Sequence, residues 1–189
     1  MTISNYDYST EFRNAIRTAI QPWVEWKHIA MGKTHCPTCL KLDKCWFVKA
    51  NMPQLPQHEY CHCTAIPKST RMVQAQAKAV CAYEKFAKYA LDPTNSKNKG
   101  KAAMFESWGY TVADSKWMMT EYERQATEKY VTGEYLLGEL NTYGQRINIY
   151  ITLPRKDGTG SLTYKTGWIA EPNGKIRLSN NCNKTLFCF

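Results

Sequence analysis

The spacing of hydrophobic residues changes once along the chain, from a helical period in the first two thirds to strict alternation near residue 146. Phe12, Ile16, Ala19 and Ile20 recur at helical spacing after Asp7 or Ser9, either of which can cap a first helix that Pro22 ends or kinks. Trp23 and Trp26 follow and are expected to pack against the cysteine-rich stretch beyond them. Ser69 or Thr70 caps a second predicted helix, with Val73, Ala77, Val80, Tyr83 or Glu84, Ala87 and Leu91 on one approximate stripe; it runs to about Leu91. Residues 92–98, DPTNSKN, form the densest cluster of turn formers. A short third helix carries Ala102, Ala103, Phe105 and Trp108 and closes at Gly109. A fourth spans 113–130, capped by Asp114, with Trp117, Met118, Tyr122, Ala126 and Tyr130 as its core stripe.

Ile147, Ile149, Ile151 and Leu153 then alternate with Arg146, Asn148, Tyr150 and Thr152, as in a strand with one buried face. Residues 156–160, KDGTG, are a hairpin turn into a second strand with Leu162, Tyr164, Thr166 and Trp168. Pro172-Asn173-Gly174 turns the chain into a third strand at Ile176 and Leu178, and Tyr135-Leu136-Leu137 offers a fourth. The predicted fold class is α+β. A helix and cysteine-knuckle module occupies 1–67, and helices pack on an antiparallel sheet of three to four strands over 68–189.

Composition narrows the class. With 43 % hydrophobic and 13 % aromatic residues the chain is not expected to be disordered. No apolar run reaches the length of a membrane-crossing helix, so no membrane partner is expected. The formal charge of +9 is concentrated: residues 68–101 hold eight Lys and Arg against two acidic residues. Lys78, Lys85, Lys88, Lys97 and Lys99 in this segment are candidate contacts to RNA or another polyanion, since cations gain affinity there by releasing counterions. A solvated surface would explain them equally well.

Chemistry concentrates in the cysteines. Cys36-Pro37-Thr38-Cys39 and Cys61-His62-Cys63 are two tight pairs joined by a loop, the arrangement that supplies four ligands to one tetrahedral structural zinc ion. The expected ligands are Cys36, Cys39, Cys61 and Cys63, with His58 or His62 in reserve. A disulfide-stapled loop and buried thiols are the alternatives. The start, Met1-Thr2-Ile3-Ser4-Asn5, is polar, so synthesis in the cytoplasm with reduced thiols is expected. Cys45, Cys81, Cys182 and Cys188 are unpaired by spacing. Cys81 is read as a small core residue, and the tail Leu186-Phe187-Cys188-Phe189 as docking back on the fold.

The same stretch carries a resemblance. Trp26-Lys27, residues 34–43 (THCPTCLKLD), Pro53, Pro56, His58 and Cys61-His62-Cys63 resemble the C-terminal part of the minor head proteins of tailed phages, over roughly 23–64. Those proteins show a Leu-Asp-Gly turn, where this chain reads Leu42-Asp43-Lys44. They also carry a long helical region before the motif, against about twenty residues here, so only part of such a protein is expected. The resemblance implies a phage or prophage setting, in the host cytoplasm or associated with the virion.

A second resemblance covers roughly 83–183. Residues 88–93 (KYALDP), Gly100-Lys101-Ala102, Phe105-Glu106, Gly109-Tyr110-Thr111, Tyr143-Gly144-Gln145-Arg146 and Thr166-Gly167-Trp168-Ile169 are similar to an uncharacterised domain found at the C-termini of bacterial polymorphic toxins and in fusions with phage head segments. Helices followed by an antiparallel sheet are also the layout of small metal-independent ribonuclease toxins. All four histidines precede residue 63, which leaves Lys101, Tyr143, Arg146, Lys165 and Arg177 as candidate catalytic groups. The expected function is a phage-type effector whose basic C-terminal domain binds or cleaves nucleic acid, RNA favoured. The alternative is a non-catalytic phage protein that binds a protein partner, either as a head-associated factor or as an inhibitor of a host nucleic-acid enzyme such as a defence nuclease. Besides RNA or another polyanion, an immunity or host protein is a candidate partner.

Overall fold

The computed structural model describes residues 23–30 and 36–179. The first predicted helix and the apolar C-terminal tail lie outside these residues. Two sheets organise the rest. In the first, β1 (Trp23–Lys27) lies between β2 (Trp46–Val48) and β3 (Thr64–Lys68), antiparallel to both. The second has five strands in the order β4 (Lys78–Val80), β8 (Lys175–Leu178), β7 (Ser161–Ala170), β6 (Gly144–Pro154), β5 (Leu136–Asn141). The α+β class follows from these sheets and from the helices α1 (Pro37–Leu40), α2 (Thr70–Gln76), α3 (Lys101–Glu106) and α4 (Ser115–Thr132). None of the described helices is long and apolar enough to cross a membrane.

The alternating stretch forms the β6–β7 hairpin in the expected phase. Ile147, Ile149, Ile151 and Leu153 are buried on one face with Trp168, and α4 covers them with Met118, Tyr122, Ala126 and Tyr130. Trp117 is the exception in the α4 stripe. It is 45 % exposed and stacks on Tyr110, because the helix turns it away from the sheet. The 3-10 turn Val112–Asp114 that leads into α4 is fixed by a capping box in which Thr111 and Asp114 satisfy each other's backbone amides. Gly109 at φ 86° closes the segment after α3.

The long helix expected from Ser69 to Leu91 is instead three pieces. α2 ends at Gln76, β4 follows, and a π-helical turn spans Phe86–Ala90. Val73, Ala79, Cys81, Phe86 and Leu91 are all buried, so the stretch looks helical by period while its middle is extended. What extends it is remote: β4 pairs in parallel with β8, Lys78 beside Lys175, Ala79 beside Ile176 and Val80 beside Arg177. A non-local ladder outweighs a weak local preference.

The two sheets share a core. Trp23 packs edge-on against Tyr130, and the Tyr130 hydroxyl donates to Trp46 O at 2.6 Å. Trp23 therefore belongs to the large core, whereas Trp26 sits in a second cluster with Leu42, Cys45, Phe47 and Ala170, against which Cys63 packs. The tight turn at Leu42-Asp43-Lys44 forms without glycine: Lys44 adopts φ 63°, its N–H donates to Trp26 O at 2.8 Å, and Cys45 N–H donates to Leu42 O at 2.9 Å.

Candidate functional site: a thiol cluster and a basic sheet face

α1 places the first cysteine pair, with Pro37 starting the single turn, Cys36 as the residue before it and Cys39 buried within it. Cys61 and Cys63 arrive in the loop that enters β3, with Cys61 N–H donating to His58 O. Sulfur and nitrogen atoms converge on Cys39. The ligand atoms of Cys36, Cys39 and His58 lie within 4.8 Å of one another, as do those of Cys39, Cys61 and Cys63. Cys39 Sγ and Cys61 Sγ are 3.9 Å apart, close to the ~3.8 Å edge of a tetrahedron with 2.3 Å Zn–S bonds. Six cysteines of the described residues are free thiols, including all four of the two pairs.

Five donors thus form two groups of three that share Cys39. His58 Nε2 is 3.3 Å from Cys39 Sγ, and its Nδ1 is 2.6 Å from Glu59 O. A carbonyl that takes the Nδ1 proton leaves the Nε2 lone pair facing the sulfurs, the usual arrangement of a metal-ligating histidine. His62 joins neither group of three, so His58 is the reserve ligand the geometry retains. His28 Nδ1 stands 3.4 Å from Cys63 Sγ, behind the cluster.

The thiols differ in acidity. Amide hydrogen bonds, Cys39 N–H first, hold the Cys36 thiol below its ordinary pKa. Burial alone would raise Cys61, but hydrogen bonds from the Gln57 and Cys63 amides and neighbouring thiols outweigh it and bring Cys61 to about 7. Burial and the surrounding thiols push Cys39 far up. Two acidic thiols beside one that needs an external charge to lose its proton are a chemistry ready for a divalent cation. Cys45, buried in the second cluster and raised to about 12 by that burial, belongs to packing.

The second candidate site is the face of the five-stranded sheet turned away from the core. Register sets Arg146, Ile169 and Arg177 in one row across β6, β7 and β8, and Lys165 beside Tyr150. Three of the five sequence candidates therefore share this face. The β4–β8 pairing adds two cations, Lys78 and Lys175, both exposed. Lys175 is not legible as a site residue in the sequence, because only strand pairing brings it into a cluster. Lys78 is one of the expected polyanion contacts.

Within this face Arg146 crosses diagonally to Gly167. A Cβ on Gly167 would lie 2.6 Å from the Arg146 Nη2 and 3.4 Å from its Cζ, so the guanidinium occupies the space a side chain would need. Gly138 gives similar room on the β5 side, where a Cβ would meet the Arg146 Cβ at 3.0 Å. Glu171 is the counter-charge: it accepts from Arg177 Nε at 2.5 Å and pairs with Lys175 at 3.1 Å. Burial would raise its carboxyl pKa, but the bonds from Arg177 and Lys175 outweigh this and keep it below the usual range.

The remaining candidates stand elsewhere. Lys101, at the start of α3, lies over the Tyr89 ring at 4.8 Å in the helical layer on the other side of the sheet. Tyr143 is 74 % exposed at the β5–β6 turn. Lys85 donates to the Leu178 carbonyl of β8, a structural role. Lys88, Lys97 and Lys99 are exposed on the π-helical turn, on the 3-10 turn Ser96–Asn98 and just after it, so the five lysines do not form one stripe.

The chain belongs to the family described as a domain of unknown function (DUF6883), which matches residues 72–178. That span contains the whole five-stranded sheet and its basic face and stops short of the thiol cluster. No curated protein and no solved structure matches the chain.

Proposed function

We propose that this member of the DUF6883 family binds nucleic acid on the basic sheet face, and that one zinc ion held by the thiol cluster ties α1 to the loop that enters β3 within the N-terminal module. The observation that carries the reading is the parallel pairing of β4 with β8, which adds Lys78 and Lys175 to Arg146, Lys165 and Arg177 on one surface. Five cations against Glu171 make a local field that attracts polyanions. RNA is the polymer to try first, because helices on an antiparallel sheet are the layout of small ribonuclease toxins. Binding is favoured over cleavage. Phosphodiester cleavage needs a base and an acid free to exchange protons at the bound phosphate, whereas Glu171 is tied to two cations and held ionised. Cys36, Cys39, Cys61 and Cys63 are the zinc ligands, with His58 able to replace one of them. The resemblance to phage minor head proteins supports a phage setting for this binding.

The test is a salt series of fluorescence-anisotropy titrations with labelled RNA. The logarithm of affinity should fall steeply with the logarithm of salt concentration, and Lys78→Glu with Lys165→Glu should flatten that slope by roughly 0.7 to 0.9 for each phosphate no longer neutralised. Affinity unchanged in the double variant at low salt would refute the assignment of the face.

A further inference from the structure

The basic face is not uniform. Its β4–β8 side is the more cationic, with Lys78, Lys175 and Arg177, while the region where β5 begins beside the middle of β6 is partly apolar. There Leu136 pairs with Asn148 on the same face and is 54 % exposed, and Tyr150, two residues along β6, is 39 % exposed. Lys165 stands directly beside Tyr150, and Arg146 lies four residues further along β6, about 13 Å away at the strand rise.

We infer that the ligand of this face is single-stranded nucleic acid, with a base stacked on Tyr150 and its phosphates over the Lys165, Arg146 and Lys78 side. The inference rests on the nucleic-acid reading above and goes beyond it. A duplex shows a protein its phosphates and grooves and keeps its base faces stacked inside, so it has no use for an exposed tyrosine and leucine beside a lysine. A single strand exposes both halves, and a π-face beside a row of cations is what it binds. Asn148 stands between Leu136 and Tyr150 in reach of a base edge, and its amide can both donate and accept. Across five strands the face spans about 19 Å, room for a few nucleotides.

The experiment compares three probes on the full chain: a labelled single-stranded RNA of about ten nucleotides, the same sequence as a duplex, and heparin. The single strand should bind about tenfold or more tighter than the duplex. Tyr150→Ala should lose about tenfold for the single strand and leave duplex and heparin binding unchanged, while Tyr150→Phe should keep the wild-type preference; each variant's melting temperature reports folding. Equal affinity for single strand and duplex, or an equal loss on all three probes in a folded Tyr150→Ala, would overturn the single-strand assignment and leave the polyanion reading standing. No salt-dependent binding of any probe would overturn both, and point to a protein partner.

Discussion

Gly167→Ala isolates the guanidinium of Arg146 without touching it chemically. The backbone at Gly167 lies in a regular strand, and exchanging glycine for alanine there should gain about 0.4–1 kcal/mol by restricting the unfolded chain. The added methyl lands on Arg146 Nη2, the far end of a flexible side chain, which can move aside. Stability should therefore stay within about 1 kcal/mol of wild type, measured by urea unfolding. Binding should suffer more. A charge-assisted hydrogen bond to phosphate is worth about 1.5–3 kcal/mol, so losing its geometry should cost roughly tenfold in RNA affinity and flatten the salt slope by about 0.7. Arg146→Ala should cost about the same, and the double variant no more than either single one, because both remove the same phosphate bond. Wild-type binding by Gly167→Ala alongside a clear loss in Arg146→Ala would show that the guanidinium's position is immaterial. A stability loss above about 2 kcal/mol would show that the strand, not the side chain, gives way.

Elemental analysis of the wild-type chain should find about one zinc per chain, lost in Cys39→Ser, which removes the donor common to both groups of three, and retained in His62→Ala. Asp114→Asn should cost about 1 kcal/mol near neutral pH by weakening the cap on Thr111 N–H and the bond from Lys156 Nζ. Burial would raise the Asp114 pKa, but these bonds set it below its ordinary value, so its contribution is full above about pH 3.9 and fades as pH falls through that value and the lower folded one. Urea unfolding should show variant and wild type converging in acid. Gly174→Ala should be the most damaging, by about 3 kcal/mol. Its φ is 77°, and a Cβ would lie 2.6 Å from Cζ3 of the buried Trp46 ring, so a large fall in melting temperature is expected.

Local pattern makes the β6–β7 hairpin legible because side-chain alternation and the KDGTG turn agree over more than twenty residues. The face carrying Arg146, Lys165 and Arg177 follows from that alternation alone. β4 is illegible for the opposite reason. It has three residues, its apolar positions fit a helical stripe, and its partner is in the last strand of the sheet. The cysteine spacing points to the thiol cluster, but not to the choice between His58 and His62, which depends on the loop conformation around the φ 61° of Tyr60. The turn at Lys44 shows the limit of reading a motif by its glycine. The hydrogen bonds to Trp26 and Leu42 hold a left-handed lysine, at a cost of about 1–2 kcal/mol relative to glycine.

The pairing of β4 with β8 also sets when the basic face exists. Lys78 and Lys175 are about a hundred positions apart in the chain, and pairings of such separation incur their loop-closure cost before they return any stability. On a ribosome, where the growing chain is surrounded by RNA, β4 emerges long before the strand that gives it a partner. Until β8 docks, Lys78 has no fixed place beside Lys175 and Arg177 is not in line with Arg146. The complete cationic surface comes into being only when the domain closes, so a chain whose β8 has not docked lacks the arrangement that concentrates these charges.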